Sequence, residues 1–464
     1  MLLKLDRFAW PSRPFWGLLV SLAVLFLMGG SSRWDVQSLA LLNPVTIMCC
    51  GAALLSLKQE HLQEKKWLLV SFLAIIALVA VYILPLWRQI AVPPAIADDV
   101  ATLRAATGWD ADISSVTSPT AWQSLFFLFA PLAVLLFAVQ LNRDDIGRFL
   151  PVLIIIGAIS GVLGILQVAG SASGPLYFYD LTNNGSAVGF FANRNHAAVF
   201  LACLFPMLAL FAAKSHGTRR AGRSASELTA LALAILLVPL ILVTGSRSGM
   251  LTAVLGLVGG GLLYVSHAQR RSGTASRLAS PVWLASIFVG LVVITIYVSR
   301  AESVERFFTL NGSGIDRSDF WTASQQLFWQ YVPLGFGPGG FVPAYQYNEP
   351  AALLGGVYLN RLHNDWSETA ATFGVPGILL MAAAVLYYLY RSFVLWMRMD
   401  GARPSVALGR MASLVIAILA TASLTDYPLR TPAIGGFAML VIVWFTYAEA
   451  KTTSHPKSKI THAA

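Results

Sequence analysis

The residues best equipped for chemistry stand in one short stretch, Arg361–Gly377, RLHNDWSETAATFGVPG. His363, Asn364, Asp365, Ser367 and Glu368 fall close together, and the chain turns apolar from Gly374. An imidazole that titrates near neutrality suits removal of a proton from a hydroxyl. His363 is therefore a candidate general base and Glu368 a candidate catalytic carboxylate. At helical spacing, Leu362, Trp366, Thr369 and Phe373 share one face, Asn364 and Glu368 a second, and His363 and Ser367 a third. The pattern predicts a helix at a membrane mouth, apolar side down, with the histidine and the carboxylate facing water. A half-exposed histidine at a helix start is the plainer reading of His363, and the residues alone do not separate the two.

Other candidates are cationic. Arg247, in TGSRSGM, stands at the lip of an apolar run. A guanidinium at membrane depth costs roughly 2.5–3.5 kcal/mol on insertion scales, so it needs a partner or an anion. Snorkelling to the interface is the simpler account. The small neighbours Gly245, Ser246, Ser248 and Gly249 leave room for a bulky ligand, and a planar five-donor fork suits phosphate oxygens. Arg194, with Asn193 and Asn195 in FFANRNHAA, reads equally as an anion site or an interfacial anchor. Arg317, in GIDRSDFW, has Asp316 and Asp319 as local partners. Asn364, and Asp426 and Arg430 in SLTDYPLRTP, are further candidates for binding substrate. That Asp426 and Arg430 pair with each other is the plainer reading, and His196 reads as a hydrogen-bonded packing residue. Asp110 and Asp112 read as solvated charge rather than a metal pair. No zinc-type His/Cys spacing and no Walker loop occurs, so neither metal nor cofactor is expected.

The elements that must position these groups are membrane spans. The chain is 56% hydrophobic and 12% charged, with mean hydropathy +0.67, far from the quarter or so charged residues of soluble domains. A net charge of +10 raises nucleic acid as a partner, but no basic cluster is interleaved with aromatics. The three cysteines, Cys49, Cys50 and Cys203, lie in apolar segments and indicate no disulfide or zinc site. Apolar runs of spanning length fall near 15–30, 38–57, 67–86, 121–141, 149–168, 191–213, 227–244, 248–266, 281–299, 373–395, 406–424 and 432–448. The fold class is thus an all-α polytopic membrane protein of about 12 spans. The first run follows a basic start like that of a signal peptide and is read as an uncleaved span. Of the 32 Lys and Arg residues, 22 fall in the termini and the loops sharing their side, which puts both termini in the cytoplasm. The chain reads as one membrane domain over 1–464, with outer loops at 87–120 and, between predicted spans 9 and 10, at 300–372. The longer loop contains PLGFGPGGF (Pro333–Phe341), whose glycines permit a tightly folded backbone. The tail after Ala448 is short and basic and is expected to be disordered. Of the seven histidines, only His196 and His363 reach the outer face on this topology.

FFANRNHAAVFL, TGSRSGML, DRSDFW…PLGFGPGGF, HNDWSETAATFGVPG and SLTDYPLRTP occur in the order seen in the O-antigen ligase / O-antigen polymerase family of the bacterial inner membrane, which this chain resembles from about residue 189 to 431. The first five spans resemble it in hydropathy only. The resemblance implies a GT-C-like glycosyltransferase with a large periplasmic loop, an undecaprenyl-diphosphate-linked glycan as donor, and no nucleotide sugar. It implies His363 as base and Arg247 and Arg317 as holders of the donor diphosphate. The expected function is an inverting transfer to an acceptor hydroxyl, foremost as an O-antigen ligase acting on lipid A-core. A polymerase of lipid-linked or exopolysaccharide repeats, and a protein O-glycosylation ligase, share these motifs. A secondary transporter is the non-enzyme alternative. Against it, the polar groups gather at one surface, and no matching interrupted helices mark the two halves. The expected partners are the lipid-linked donor, a glycan acceptor and membrane lipids, with no nucleic acid.

Overall fold

The computed structural model describes residues 10–83, 102, 105–106, 118–179, 183–215, 225–272, 325, 327–349, 359–398 and 403–447. Predicted span 281–299, Arg317, Asp110, Asp112, most of the two outer loops and the tail lie outside the described residues. The described helices are α1 (Arg13–Met28), α2 (Leu39–Ser56), α3 (Gln59–Ile83), α4 (Ser118–Ala138), α5 (Arg143–Ala169) and α6 (Arg194–Ser215). They continue as α7 (Ala225–Val243), α8 (Arg247–Ser272), α9 (Phe341–Asn348), α10 (Asp365–Met397), α11 (Pro404–Ala422) and α12 (Pro432–Tyr447), with a 3-10 turn at Pro428–Arg430.

Nine of these helices are long and apolar enough to cross a membrane, and α1 and α12 are shorter apolar helices. Together they coincide with every predicted span except 281–299. The protein is a polytopic membrane protein. Its outward faces carry Met48, Leu55, Leu386 and Phe393 in the open, side chains that lipid rather than water would cover. Prolines inside α2, α4, α5, α6, α7 and α10 fit the same setting.

Helix α6 is the axis of the bundle, with 89% of its span buried. Helix α8 crosses it closely because Gly249, Gly256 and Gly260 face Ala198, Ala202 and Phe205, where an added Cβ would collide. Without a hydrophobic force between helices in lipid, such small residues let backbones approach and gain dispersion contacts. Helices α1 and α12 run antiparallel, with Ala433 N donating to Gly29 O at 2.9 Å. The two ends of the described chain therefore lie at the same end of the bundle.

Helix α10 is broken at Gly374 (φ 55°, ψ −140°), the position where the sequence turns apolar. The break frees backbone groups, and the glycine-rich turn takes them up. Phe336 N and Gly337 N donate to Ala371 O and Thr372 O at 3.1 and 2.9 Å, and Val375 N donates to Pro333 O at 2.7 Å. Gly335, Gly337 and Gly339 all sit at positive φ, which lets the turn lie flat on the helix. Tyr82 of α3 clamps the pair, its hydroxyl reaching Leu334 O and Phe373 O.

Candidate functional site

One end of the bundle collects the starts of α6, α8, α10 and α12, and with them the polar groups. Helix α10 begins later than the periodicity predicts. Asn364 is its N-cap, accepting from Ser367 N at 2.9 Å, so Leu362 and His363 precede the helix and share no helical face with Trp366 or Ser367. His363 stands at φ 52°, a left-handed conformation that histidine seldom adopts. Asp365 N, bonded to Ser423 O at 2.9 Å, ties the next residue to the end of α11.

Two carboxylate clusters follow. The first is centred on Glu368 and Asp365. Glu368 is buried, with Arg361 Nη1 at 2.9 Å and Arg430 Nη1 at 3.5 Å from Oε1, while Leu362 N donates to Oε2 at 3.0 Å. Arg430 also donates to Asp365 Oδ1 at 3.2 Å and Thr369 Oγ1 at 3.1 Å. Asp365 Oδ2 accepts from Ser423 Oγ at 2.9 Å and Leu429 N at 3.2 Å. This cluster locks the loop before α10 to the loop before α12. The expectation of a water-facing Glu368 is corrected: two guanidiniums and a backbone amide enclose it, which ties it to Arg361 and to the loop bearing His363. Asp426 and Arg430 do not pair with each other as expected, since Arg430 is taken by Asp365 and Glu368.

The second cluster is centred on Asp426, buried just after α11. His196 Nε2 and His363 Nδ1 lie 3.6 and 3.7 Å from its Oδ1, on two sides of the same carboxylate. Asn195 Nδ2 donates to Oδ2, and Tyr427 N donates to Oδ1 at 2.8 Å. The Tyr427 ring lies against both imidazoles, with centroid distances of 5.2 Å to His196 and 5.0 Å to His363. Burial alone would raise the Asp426 carboxyl, but the two histidines outweigh it and hold it well below the ordinary 3.8. Burial, and then the Asp426 charge, push the Tyr427 phenol upward, so it stays protonated. His196 is fully buried, with Asp426 as the polar group its Nε2 faces, at 3.6 Å.

The remaining predicted residues divide by what they touch. Asn193 Oδ1 accepts from Asn195 N at 2.8 Å and caps the start of α6, and Asn364 Nδ2 donates to Leu424 O at 2.9 Å. Asn195, Asn364 and Arg430 each make side-chain hydrogen bonds within the fold. Arg194 and Arg247 begin α6 and α8, which cross closely at Gly249 and Ala198, and Arg247 is exposed. Among the described residues no group of three or more His, Cys, Asp or Glu side chains is placed to hold a metal.

Arg361 and Tyr427 join the clusters without being singled out by the sequence, which marks Asp365 only as part of the polar stretch. Asp365 and Arg361 flank His363 within two positions and Tyr427 follows Asp426, so proximity to each motif's centre was the available signal.

Residues 232–382, from within α7 to the middle of α10, match the family model described as O-Antigen ligase. A comparison with curated proteins finds no match. The matched segment carries Arg247, Arg361, His363 and Glu368, whereas Arg194, His196, Asp426 and Arg430 lie outside it; Asp426 meets it at His363 and Arg430 at Glu368. Over residues 232–382, about a third of its length, this polytopic membrane chain is similar to the O-antigen ligase family.

Proposed function

We propose that the protein is an inverting glycosyltransferase that moves a glycan from undecaprenyl diphosphate to an acceptor hydroxyl, acting as an O-antigen ligase on lipid A-core in the bacterial inner membrane. The observation that carries the reading is His363 beside the buried Asp426 carboxylate, at the end of the bundle where Arg194 and Arg247 stand. With Nδ1 turned to Asp426, the imidazole carries its proton there and keeps its lone pair on Nε2. The 3.7 Å separation shortens as substrate closes the site, as catalytic hydrogen bonds commonly do.

In the proposed step, Nε2 takes the acceptor hydroxyl proton as that oxygen attacks the anomeric carbon. The bond from this carbon to the diphosphate oxygen breaks, the anomeric configuration inverts, and undecaprenyl diphosphate leaves with the electron pair. Arg247, Arg194 and Arg317 neutralise the leaving charge. Fixed guanidiniums in a low-dielectric cleft do this without reorganising at the moment of reaction. The reading places the site in the periplasm and both termini in the cytoplasm. The common end of α1 and α12 in the bundle, away from the site, supports that arrangement.

The test is reconstitution with an undecaprenyl-diphosphate-linked glycan and lipid A-core. Wild type should transfer the glycan with inversion, and His363→Ala should lose nearly all turnover while still binding donor. Retained turnover in His363→Ala sinks the proposal. Transfer onto a second lipid-linked glycan instead of lipid A-core makes the protein a polymerase.

A further inference from the structure

Asp426 faces two imidazoles, and the step above uses one of them. Among the described residues its ion-pair contacts are these two histidines and no guanidinium, in contrast to Glu368 with Arg361 and Arg430. A buried carboxylate without a fixed cation must be held by N–H donors. Oδ2 has Asn195 Nδ2, and Oδ1 has Tyr427 N, with the two imidazoles beyond it at 3.6 and 3.7 Å. The His196 side chain keeps 2% of its surface and that of His363 keeps 35%. Of the pair, a substrate hydroxyl can therefore reach His363 alone, so whatever His196 contributes passes through Asp426.

The surroundings of the buried ring assign its proton. Nδ1 of His196 is covered and has no hydrogen-bond partner among the described residues, while Nε2 faces Asp426. A neutral imidazole carries one N–H. On Nδ1 that hydrogen would be a buried donor without an acceptor, and the bare Nε2 lone pair would point at a negative oxygen. On Nε2 it points at the carboxylate, which is the arrangement of lowest cost.

The two rings also differ in what holds them. His196 lies in the first turn of α6, the buried axis of the bundle, behind the Asn193 cap and beside Asn195. The Tyr427 ring packs edge-on against it, at an interplanar angle of 80°. His363 stands instead in the loop before α10. A donor carried by a rigid helix fixes the carboxylate about its own side-chain torsion, and the carboxylate then presents Oδ1 to the looser imidazole. Resting on the transferase reading above, we infer that His196 is a positioning residue: it holds Asp426 Oδ1 toward His363 Nδ1 and so sets which nitrogen of the base is bare.

The test compares two replacements in the full-length protein, reconstituted with an undecaprenyl-diphosphate-linked glycan and lipid A-core. His196→Phe keeps a ring against Tyr427 and removes the donor, whereas His196→Gln gives up the ring and keeps an N–H near the place of Nε2. Per folded molecule, His196→Phe should lower kcat about tenfold, the effect of losing one donor to a charged group, with both KM values unchanged. His196→Gln should recover most of that loss. A packing role alone gives the opposite order. With Asp426→Asn already present, His196→Phe should change kcat less than about twofold, since no carboxylate is left to hold. Nitrogen NMR with labelled histidines reads the same arrangement without turnover. The His363 signals, assigned by their loss in His363→Ala, should show Nδ1 protonated in wild type and His196→Gln, and mixed tautomers in His196→Phe. Equal loss of kcat in the two replacements, a full loss on top of Asp426→Asn, or an unchanged His363 tautomer in His196→Phe overturns the inference. A wild type that transfers no glycan while the tautomer change appears refutes the proposed reaction and upholds the positioning.

Discussion

Replacing Glu368 by alanine removes a carboxylate that two guanidiniums and one backbone amide share. Its Oε1 faces Arg361 at 2.9 Å and Arg430 at 3.5 Å, and its Oε2 accepts from Leu362 N at 3.0 Å. Glu368 is 1% exposed, while the two arginine side chains keep 18% and 23% of their surface. The arginines recover part of their hydration, so the loss lies near the lower end of the roughly 3–5 kcal/mol for breaking a buried pair. Glu368→Gln keeps the shape and one acceptor but drops the charge, and should cost about half as much. Unfolding in detergent at several denaturant concentrations measures both. A double-mutant cycle with Arg361→Ala should return a coupling of about 1–3 kcal/mol. Turnover should fall with the loss of the anchored loop, and Glu368→Gln should recover most of it. If Glu368→Ala unfolds like wild type and yet is inactive, the carboxylate meets substrate and the structural reasoning is wrong.

Asp426→Asn should lower kcat by a factor on the order of 10² to 10⁴, because an amide can fix the imidazole in the wrong tautomer. The folded Asp426 carboxyl lies below its ordinary 3.8, so its stabilisation is present above that value and is lost as pH falls through the folded value. Unfolding measured from neutrality into acid should show this loss in wild type and lack it in Asp426→Asn. Gly374→Ala should destabilise by at least about 2 kcal/mol, since φ is 55° and a Cβ would strike the Pro333 carbonyl. Thermal unfolding checks this, and a variant as stable as wild type would show that the turn yields freely. Arg410, buried at the far end, donates to Leu395 O and Arg398 O at 2.9 Å and closes the end of α10. Arg410→Ala should cost about 2–4 kcal/mol by leaving those carbonyls short of partners, with turnover per folded molecule unchanged.

The sequence by itself determined the membrane class and nearly every span, because burying a backbone in hydrocarbon demands about twenty consecutive apolar residues, a local property. It also singled out candidates for the chemistry, since His363 and Arg247 are conspicuous among apolar neighbours. Partnership was decided only in three dimensions. Asp426 and Arg430, four residues apart, could have paired, yet the 3-10 turn between them sends one toward His196 and His363 and the other toward Asp365 and Glu368. Periodicity made Glu368 water-facing because it assumed a helix running from Leu362. The Asn364 cap starts that helix later, and Arg361 folds back over the carboxylate. Helical spacing describes one element in isolation, whereas a buried charge takes whichever opposite charge the packing of several elements brings within reach.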